Sequence, residues 1–146
     1  MEWNGCPGNC AFILIGEISM KSFLIRTQRH TQFVDITREV QSVISNLGIK
    51  NGVVTIFVPH TTAGITINEN ADPDVTSDIA DALDKAVPWQ AEYKHSEGNA
   101  AAHVKASMMG SSVQVIVADG QLRLGTWQAI YFCEFDGPRS RNVWVA

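Results

Sequence analysis

Three of the chain's four histidines stand in polar segments whose residue types could do chemistry. The segment "HSEGNAAAH" sets His95 and His103 eight positions apart, with Glu97, Gly98 and Asn99 between them. His60 ends an apolar run and is followed by Thr61 and Thr62, then by Asn68, Glu69, Asn70, Asp72 and Asp74. A third segment, "GTWQAIYFCEFDGPRSR", finishes in Glu134, Asp136, Arg139 and Arg141. Imidazole is the commonest metal ligand, and three of them leaving one position open would suit a catalytic Zn²⁺. The spacing matches neither H-E-x-x-H nor the zinc deaminase pattern, whose P-C-x-x-C half is absent. Histidines that only hydrogen-bond at a surface are the other reading the spacing leaves open. His30, beside Arg29 in a turn, reads as a surface residue.

The neighbours of these histidines have competing readings of their own. "EGN" ahead of an alanine-rich helix offers unpaired backbone N–H groups that could seat a phosphate, with Gly98 allowing close approach. Any helix start shares part of that character. Arg139 and Arg141 could hold an anion bidentately, or could be solvated cations near the terminus. The run from Glu69 to Asp84 contains six carboxylates and no lysine or arginine. One or two of these could hold Mg²⁺. For Asp74, in the first helical turn, and for Asp78 and Asp81, on a solvated face, the stronger reading is structural; Asp72, which can cap the helix, and Glu69 stay open because they lie where strand becomes helix. Trp127 reads as a core or subunit-contact residue rather than a stacking platform. Cys133 reads as a small buried hydrophobe.

These groups need elements to position them. Ser22–Gln28 partly alternates and predicts a strand. Ile36, Val40, Val43 and Leu47 follow the helical stripe, with Asp35 to cap its start and Gly48 to end it. Gly52–Val58 is a continuous β-branched run, the pattern of a strand buried on both faces, and Gly64–Asn68 alternates again. A second helix starts at Asp72 with Pro73 in its first position, buries Val75, Ile79 and Leu83, and stops at Pro88. A third, shorter helix follows Asn99. Ser112–Ala118 is a strand, Asp119-Gly120 a turn signal, and "QLRLG" its partner strand. Trp127–Phe135 and "RNVWVA" complete the strands. Strands in hairpin-like groups with inserted helices predict an α+β fold, not a repeating βαβ one.

Composition narrows the functional classes. The chain has 146 residues, 45% hydrophobic and 18% charged, which suits one globular domain. The net charge of −4 argues against a general nucleic-acid binder, which neutralises phosphates with clustered cations. No stretch approaches the roughly 18 apolar residues of a membrane span. The opening residues lack the charged start and long apolar centre of a signal peptide. Composition shifts at Met20, so residues 1–19 read as a leader or a mis-assigned start, and residues 20–146 as the domain. Cys6 and Cys10 fall in the leader, leaving Cys133 alone in the domain and pointing to a reducing, cytoplasmic setting.

Taken in order, "FVDIT", "PHTTAGITINENADPDV", "HSEGNAAAHVKASMMGSS" and "LGTWQAIYFCEFDGPRSR" resemble the YjbQ family, also described as the secondary thiamine-phosphate synthase family. The likeness runs from about Met20 to the C-terminus. It implies an α+β domain with a β-sandwich-like core of mixed or antiparallel sheets and two to three helices. It also implies a homotrimer with sites near where subunits meet. On that resemblance His60, His95 and His103 converge on a metal or anion pocket, the metal being zinc, another transition ion or magnesium. The implied activity is weak thiamine-phosphate synthesis, which joins a pyrimidine diphosphate to a thiazole phosphate and releases pyrophosphate. Gly98 and Asn99 would then hold phosphate, with Thr61, Thr62, Asn70 and Asp72 as further ligand-binding positions. Arg139 would offset developing charge, and Glu97 or Glu134 would handle a proton or orient a neighbouring group. A metal-dependent hydrolase of a small phosphorylated compound and a non-catalytic ligand-binding or regulatory trimer are the alternatives.

Overall fold

The computed structural model describes residues 19–146, so the leader reading lies, but for Ser19, outside the described residues. Eight strands and three helices follow one another: β1 (Lys21–Arg26), β2 (Gln32–Asp35), α1 (Thr37–Leu47), β3 (Gly52–Phe57), β4 (Ala63–Glu69), α2 (Pro73–Ala86), α3 (Ala100–Met109), β5 (Ser112–Ala118), β6 (Gln121–Leu122), β7 (Gln128–Glu134) and β8 (Ser140–Val145). They form a five-stranded sheet in the order β1-β8-β3-β5-β6 and a three-stranded sheet in the order β2-β7-β4. Every pairing is antiparallel, giving an α+β fold with two packed sheets.

One core lies between the sheets. Alternate residues of the larger sheet (Val54, Ile56, Val115, Val143) meet Ile65, Ile130 and Phe132 of the smaller one, and α1 adds Val40 and Ile44. A second core covers the opposite face of the smaller sheet, where Leu83 of α2 and Ala102 and Ala106 of α3 pack on Ala129, Tyr131 and Cys133. The central strand of that sheet, β7, is therefore the one buried on both faces, from Ala129 to Glu134.

This corrects the reading of the β3 segment. Val54 and Ile56 point inward, while Val53 and Phe57 stand outside. The β-branched run hid the alternation because the outer face of the five-stranded sheet is itself apolar. Val53 (61% exposed) lies opposite Ile116 (60%) and Phe57 opposite Trp144, with the Thr55–Gln114 pair between them, and Leu24 is exposed on the same face. The Phe57 and Trp144 rings sit 5.7 Å apart. Trp127 also stands in the open, at 62% exposure, and fills no core of this chain.

Local signals explain the helix ends. Asp35 Oδ1 accepts the N–H of Thr37 at 2.9 Å, so it serves the first turn of α1 from one position before the N-cap residue, Ile36. Gly48 ends α1 in the left-handed region at φ 69°, which glycine adopts without steric cost. Asp72 caps α2 by accepting the N–H of Asp74, with Pro73 behind it. Asp119 (φ 54°) and Gly120 (φ 75°) form the turn between β5 and β6, as their sequence suggested. The partner strand β6 stops at Leu122, short of the expected Gly125.

Candidate functional site

His60 leaves β3 through Val58 and Pro59, while His103 comes from the middle of α3. The two are brought together by an unusually close approach of α3 to β4. A Cβ added at Gly64 would fall 2.8 Å from the carbonyl oxygen of Gly110 and 2.9 Å from Cβ of Met109. Only a residue without a side chain permits that contact. Between these elements lies a cavity of about 390 Å³ lined by His60, Thr61, Ala63, His103, Ala106, Ser107, Gly110 and Ser111. The lining holds imidazoles and hydroxyls and no carboxylate. His95 joins from the segment before α3, its ring edge-on to that of His103 at a centroid separation of 5.1 Å. Nε2 of His95 lies 3.7 Å from Oε2 of Glu97. Three of the expected site residues, His60, Thr61 and His103, therefore share one cavity, with His95 and Glu97 beside it.

The ring of His60 is fixed by a main-chain contact. The N–H of Asn142, on β8, donates to His60 Nε2 at 2.8 Å. Partial burial and the nearby Arg141 cation hold the His60 pKa below the usual imidazole value, against a weaker opposing effect of Glu134. Among the described residues, no three His, Cys, Asp or Glu side chains converge into a group able to hold a metal ion. His95 and His103 are neighbours, and His103 shares the cavity with His60.

Glu134 and Arg141 occupy the interior instead. Arg141 donates from Nε and Nη2 to the two carboxylate oxygens of Glu134 at 2.8 and 2.6 Å, and from Nη2 to Thr62 Oγ1 at 2.8 Å. Glu134 also accepts from Thr27 Oγ1 and from the N–H groups of Phe135 and Asp136. The Glu134 side chain is fully enclosed and that of Arg141 is 7% exposed. Burial alone would raise the Glu134 pKa, yet the hydrogen bonds from Arg141, Asp136 and Thr27 outweigh it and hold the carboxyl below its ordinary value. Both carboxylate oxygens are taken up by donors of this chain, so Glu134 faces Arg141 and not the cavity. For Glu134 the geometry favours the orienting role over the proton-handling one, and the Thr62 hydroxyl accepts from Arg141. Arg141 is not a solvated cation. The signal was in the phase of β8, where Arg141, Val143 and Val145 share the inward face.

The remaining expected residues serve other contacts. Asn99 is the N-cap residue of α3 but makes no side-chain cap; its Nδ2 donates to Asp136 Oδ2 at 3.1 Å. Arg139 donates to the same oxygen at 2.8 Å and to the Asp136 carbonyl. These bonds keep the Asp136 carboxyl below its ordinary range despite partial burial, which acts the other way. The Asn99 side-chain amide, assigned with Gly98 to a phosphate, is thus engaged by the Asp136 carboxylate, which Arg139 also pairs. Arg139 is engaged there and does not line the histidine cavity. Asn70 donates to Asp35 Oδ2 and Asp72 caps α2, both away from that cavity. Thr27, Ser107, Ser111 and Asn142 had not been singled out; a backbone N–H and scattered hydroxyls leave no mark in a sequence pattern. A larger groove of about 690 Å³ between β1 and α1, bordered by Lys21, Phe23, Arg38 and Glu39, contains none of the residues singled out.

Comparison with known proteins extends this picture over the whole described domain. Residues 21–146 match the family model described as UPF0047 protein YjbQ-like. The UPF0047 protein YugU of Bacillus subtilis is 53% identical over 127 residues, which span 86% of this chain and 96% of that protein. The UPF0047 protein MJ1081 of Methanocaldococcus jannaschii is 50% identical over 84% of this chain and 89% of its own length. Among solved structures, a YjbQ/UPF0047 family protein of Clostridium acetobutylicum, the ortholog of YugU, superposes with a TM-score of 0.84 at 56% identity, covering 86% of this chain and 98% of that one. A conserved hypothetical protein of Thermus thermophilus superposes with a TM-score of 0.81 at 40% identity, covering 86% and 98%. With its polar segments, its two antiparallel sheets and its three helices all accounted for, the chain belongs to the YjbQ/UPF0047 family.

Proposed function

We propose that this chain binds a small phosphorylated compound in the cavity between His60 and His103, and acts on it as a weak, thiamine-phosphate synthase-like transferase. The observation that supports the reading is the lining itself. Imidazoles and hydroxyls face a space of about 390 Å³ with no carboxylate among them, which favours an anionic guest and lies within the size range of small-molecule sites. In the reaction, the thiazole nitrogen forms a C–N bond to the pyrimidine methylene carbon while its C–O bond to diphosphate breaks, and pyrophosphate leaves with the electron pair. That step needs placement of two ligands and donors for the departing oxygens more than a base. His60, His103, Thr61 and Ser111 are the residues placed to donate. Glu134 and Arg139 lie outside the lining of the cavity.

Assembly belongs to the same proposal. The outer face of the five-stranded sheet exposes Leu24, Val53, Phe57, Ile116 and Trp144, with the Thr55–Gln114 pair among them, a concentration of large apolar side chains of the kind that marks an interaction surface. We take it as the seat of neighbouring copies in a homotrimer. Asn142, which holds His60, lies on that face, so a seated neighbour would border the cavity. A reducing, cytoplasmic setting fits Cys133, a buried free thiol whose pKa burial pushes well above its ordinary value. Among the described residues no helix is long and apolar enough to cross a membrane.

The test is direct. Purified protein supplied with pyrimidine diphosphate and thiazole phosphate releases thiamine phosphate, and His60→Phe or His103→Phe abolishes it. Cleavage of a phosphoester without synthesis would replace the transferase with a hydrolase. Saturable binding with no product in either assay would leave a ligand-binding module. Light scattering that gives a monomer mass would end the trimer.

A further inference from the structure

We infer that the histidine cavity grips an oxyanion directly, with His60 offering a ring N–H to it, and that no metal ion bridges the two. The inference rests on the phosphorylated-ligand reading above and goes further by fixing which partner the imidazole can take. A backbone N–H can only donate, so the contact from Asn142 at 2.8 Å makes Nε2 of His60 the lone-pair nitrogen. A neutral imidazole carries one proton, and here it must sit on Nδ1. Nδ1 makes no hydrogen bond among the described residues and is not enclosed, so it is the nitrogen left to meet a guest in the cavity that His60 lines.

That arrangement is the reverse of a metal site. A ligating histidine donates its second N–H to a carboxylate or carbonyl, which frees the other nitrogen's lone pair for the ion. In this chain the second nitrogen faces a donor. Binding a metal through Nδ1 would require stripping its proton, and binding through Nε2 would leave the Asn142 N–H without a partner. The rest of the lining agrees. Thr61 and Ser111 supply hydroxyls, and there is no carboxylate to offset a divalent charge. The Arg141 cation beneath His60 favours an anion over a cation, although Glu134 neutralises much of its field.

The experiment uses full-length protein labelled with ¹⁵N-histidine in the presence of chelator. A long-range ¹H–¹⁵N spectrum reads the protonation of each ring nitrogen, and His60→Gln identifies the His60 signals. The expected result is a neutral His60 protonated on Nδ1, whose Nδ1 signal shifts saturably with inorganic phosphate. His60→Phe, folded by circular dichroism, should weaken phosphate binding about ten- to hundredfold, the worth of one hydrogen bond to a charged group. A parallel titration replaces chelator with Zn²⁺. A proton found on Nε2, or phosphate binding that appears only after Zn²⁺ has displaced the Nδ1 proton, overturns the inference and leaves the phosphorylated-ligand reading standing. No phosphate response with or without Zn²⁺ overturns both.

Discussion

Replacing Glu134 with glutamine tests the account of the interior most severely. The substitution keeps the shape and one carbonyl oxygen but removes the counter-charge of Arg141, whose side chain is 7% exposed. Whichever way the amide turns, an NH₂ group takes the place of one carboxylate oxygen. On the Oε2 side it confronts Arg141 Nε and Thr27 Oγ1, and on the Oε1 side Arg141 Nη2 and the N–H groups of Phe135 and Asp136. At least two donors lose their acceptor, and a buried guanidinium loses its partner. Breaking a buried pair from one side costs about 3–5 kcal/mol. For a domain of this size that corresponds to a fall in Tm of about 10–20 °C. Urea and thermal unfolding of wild type and Glu134→Gln, at one protein concentration so that assembly does not shift the comparison, give the number. The double variant Glu134→Leu with Arg141→Met removes both charges and should be less destabilised than Glu134→Gln. A loss below about 1 kcal/mol for the single variant, the range of an exposed ion pair, would show that Arg141 does not depend on Glu134 and that the enclosed network is misdescribed.

Other perturbations follow from the same geometry. Gly64→Ala places a methyl group 2.8 Å from the Gly110 carbonyl oxygen and must push α3 away from β4; it should cost about 1–3 kcal/mol in urea unfolding and weaken phosphate binding through displaced His103. Asp72→Ala removes the acceptor for the Asp74 N–H and should cost about 1 kcal/mol while leaving phosphate binding unchanged. Because folding lowers the His60 pKa below its ordinary 6.5, the unfolded chain takes up that proton first as pH falls, so stability drops below about pH 6.5. His60→Gln should flatten the change in urea midpoint between pH 7 and pH 5.5, and an unchanged slope would refute this. Glu134, held below its ordinary 4.5, adds stability above that value that is lost on further acidification.

Much of the fold was legible where one local signal dominated. Asp72-Pro73 marks the start of α2, Gly48 the end of α1, and Asp119-Gly120 the β5–β6 turn, because caps and left-handed turns depend on a few adjacent residues. β2 escaped detection since "QFVD" is four residues long and is made a strand only by pairing with β7. β3 was misjudged because an apolar outer face erased its alternation, while the strand that is buried on both sides, β7, contains Tyr131 and Glu134 and does not read as a uniform run. The candidate site divides along the same line. Segments rich in histidine and threonine announced themselves, and His60, Thr61 and His103 do meet across α3 and β4. Glu134, Thr62 and Arg139 looked equally chemical by residue type, but their partners come from Arg141, Thr27 and Asp136, and ion pairing between strands leaves no spacing to find. Lys105 shows the limit plainly: a lysine in an alanine-rich helix reads as exposed, yet it is 2% exposed and paired with Asp84 of α2.

The Glu134–Arg141 network also sets how the site can breathe. It ties β7 to β8, and through Thr27 and Thr62 it reaches the end of β1 and the start of β4, so both sheets are laced at one point. Asn142, the neighbour of Arg141, offers its amide to His60. Freeing that amide by rearranging β8 would part the lacing, a motion closer to global unfolding than to loop fluctuation. The imidazole is thus seated on bedrock, and guests must find the cavity already shaped.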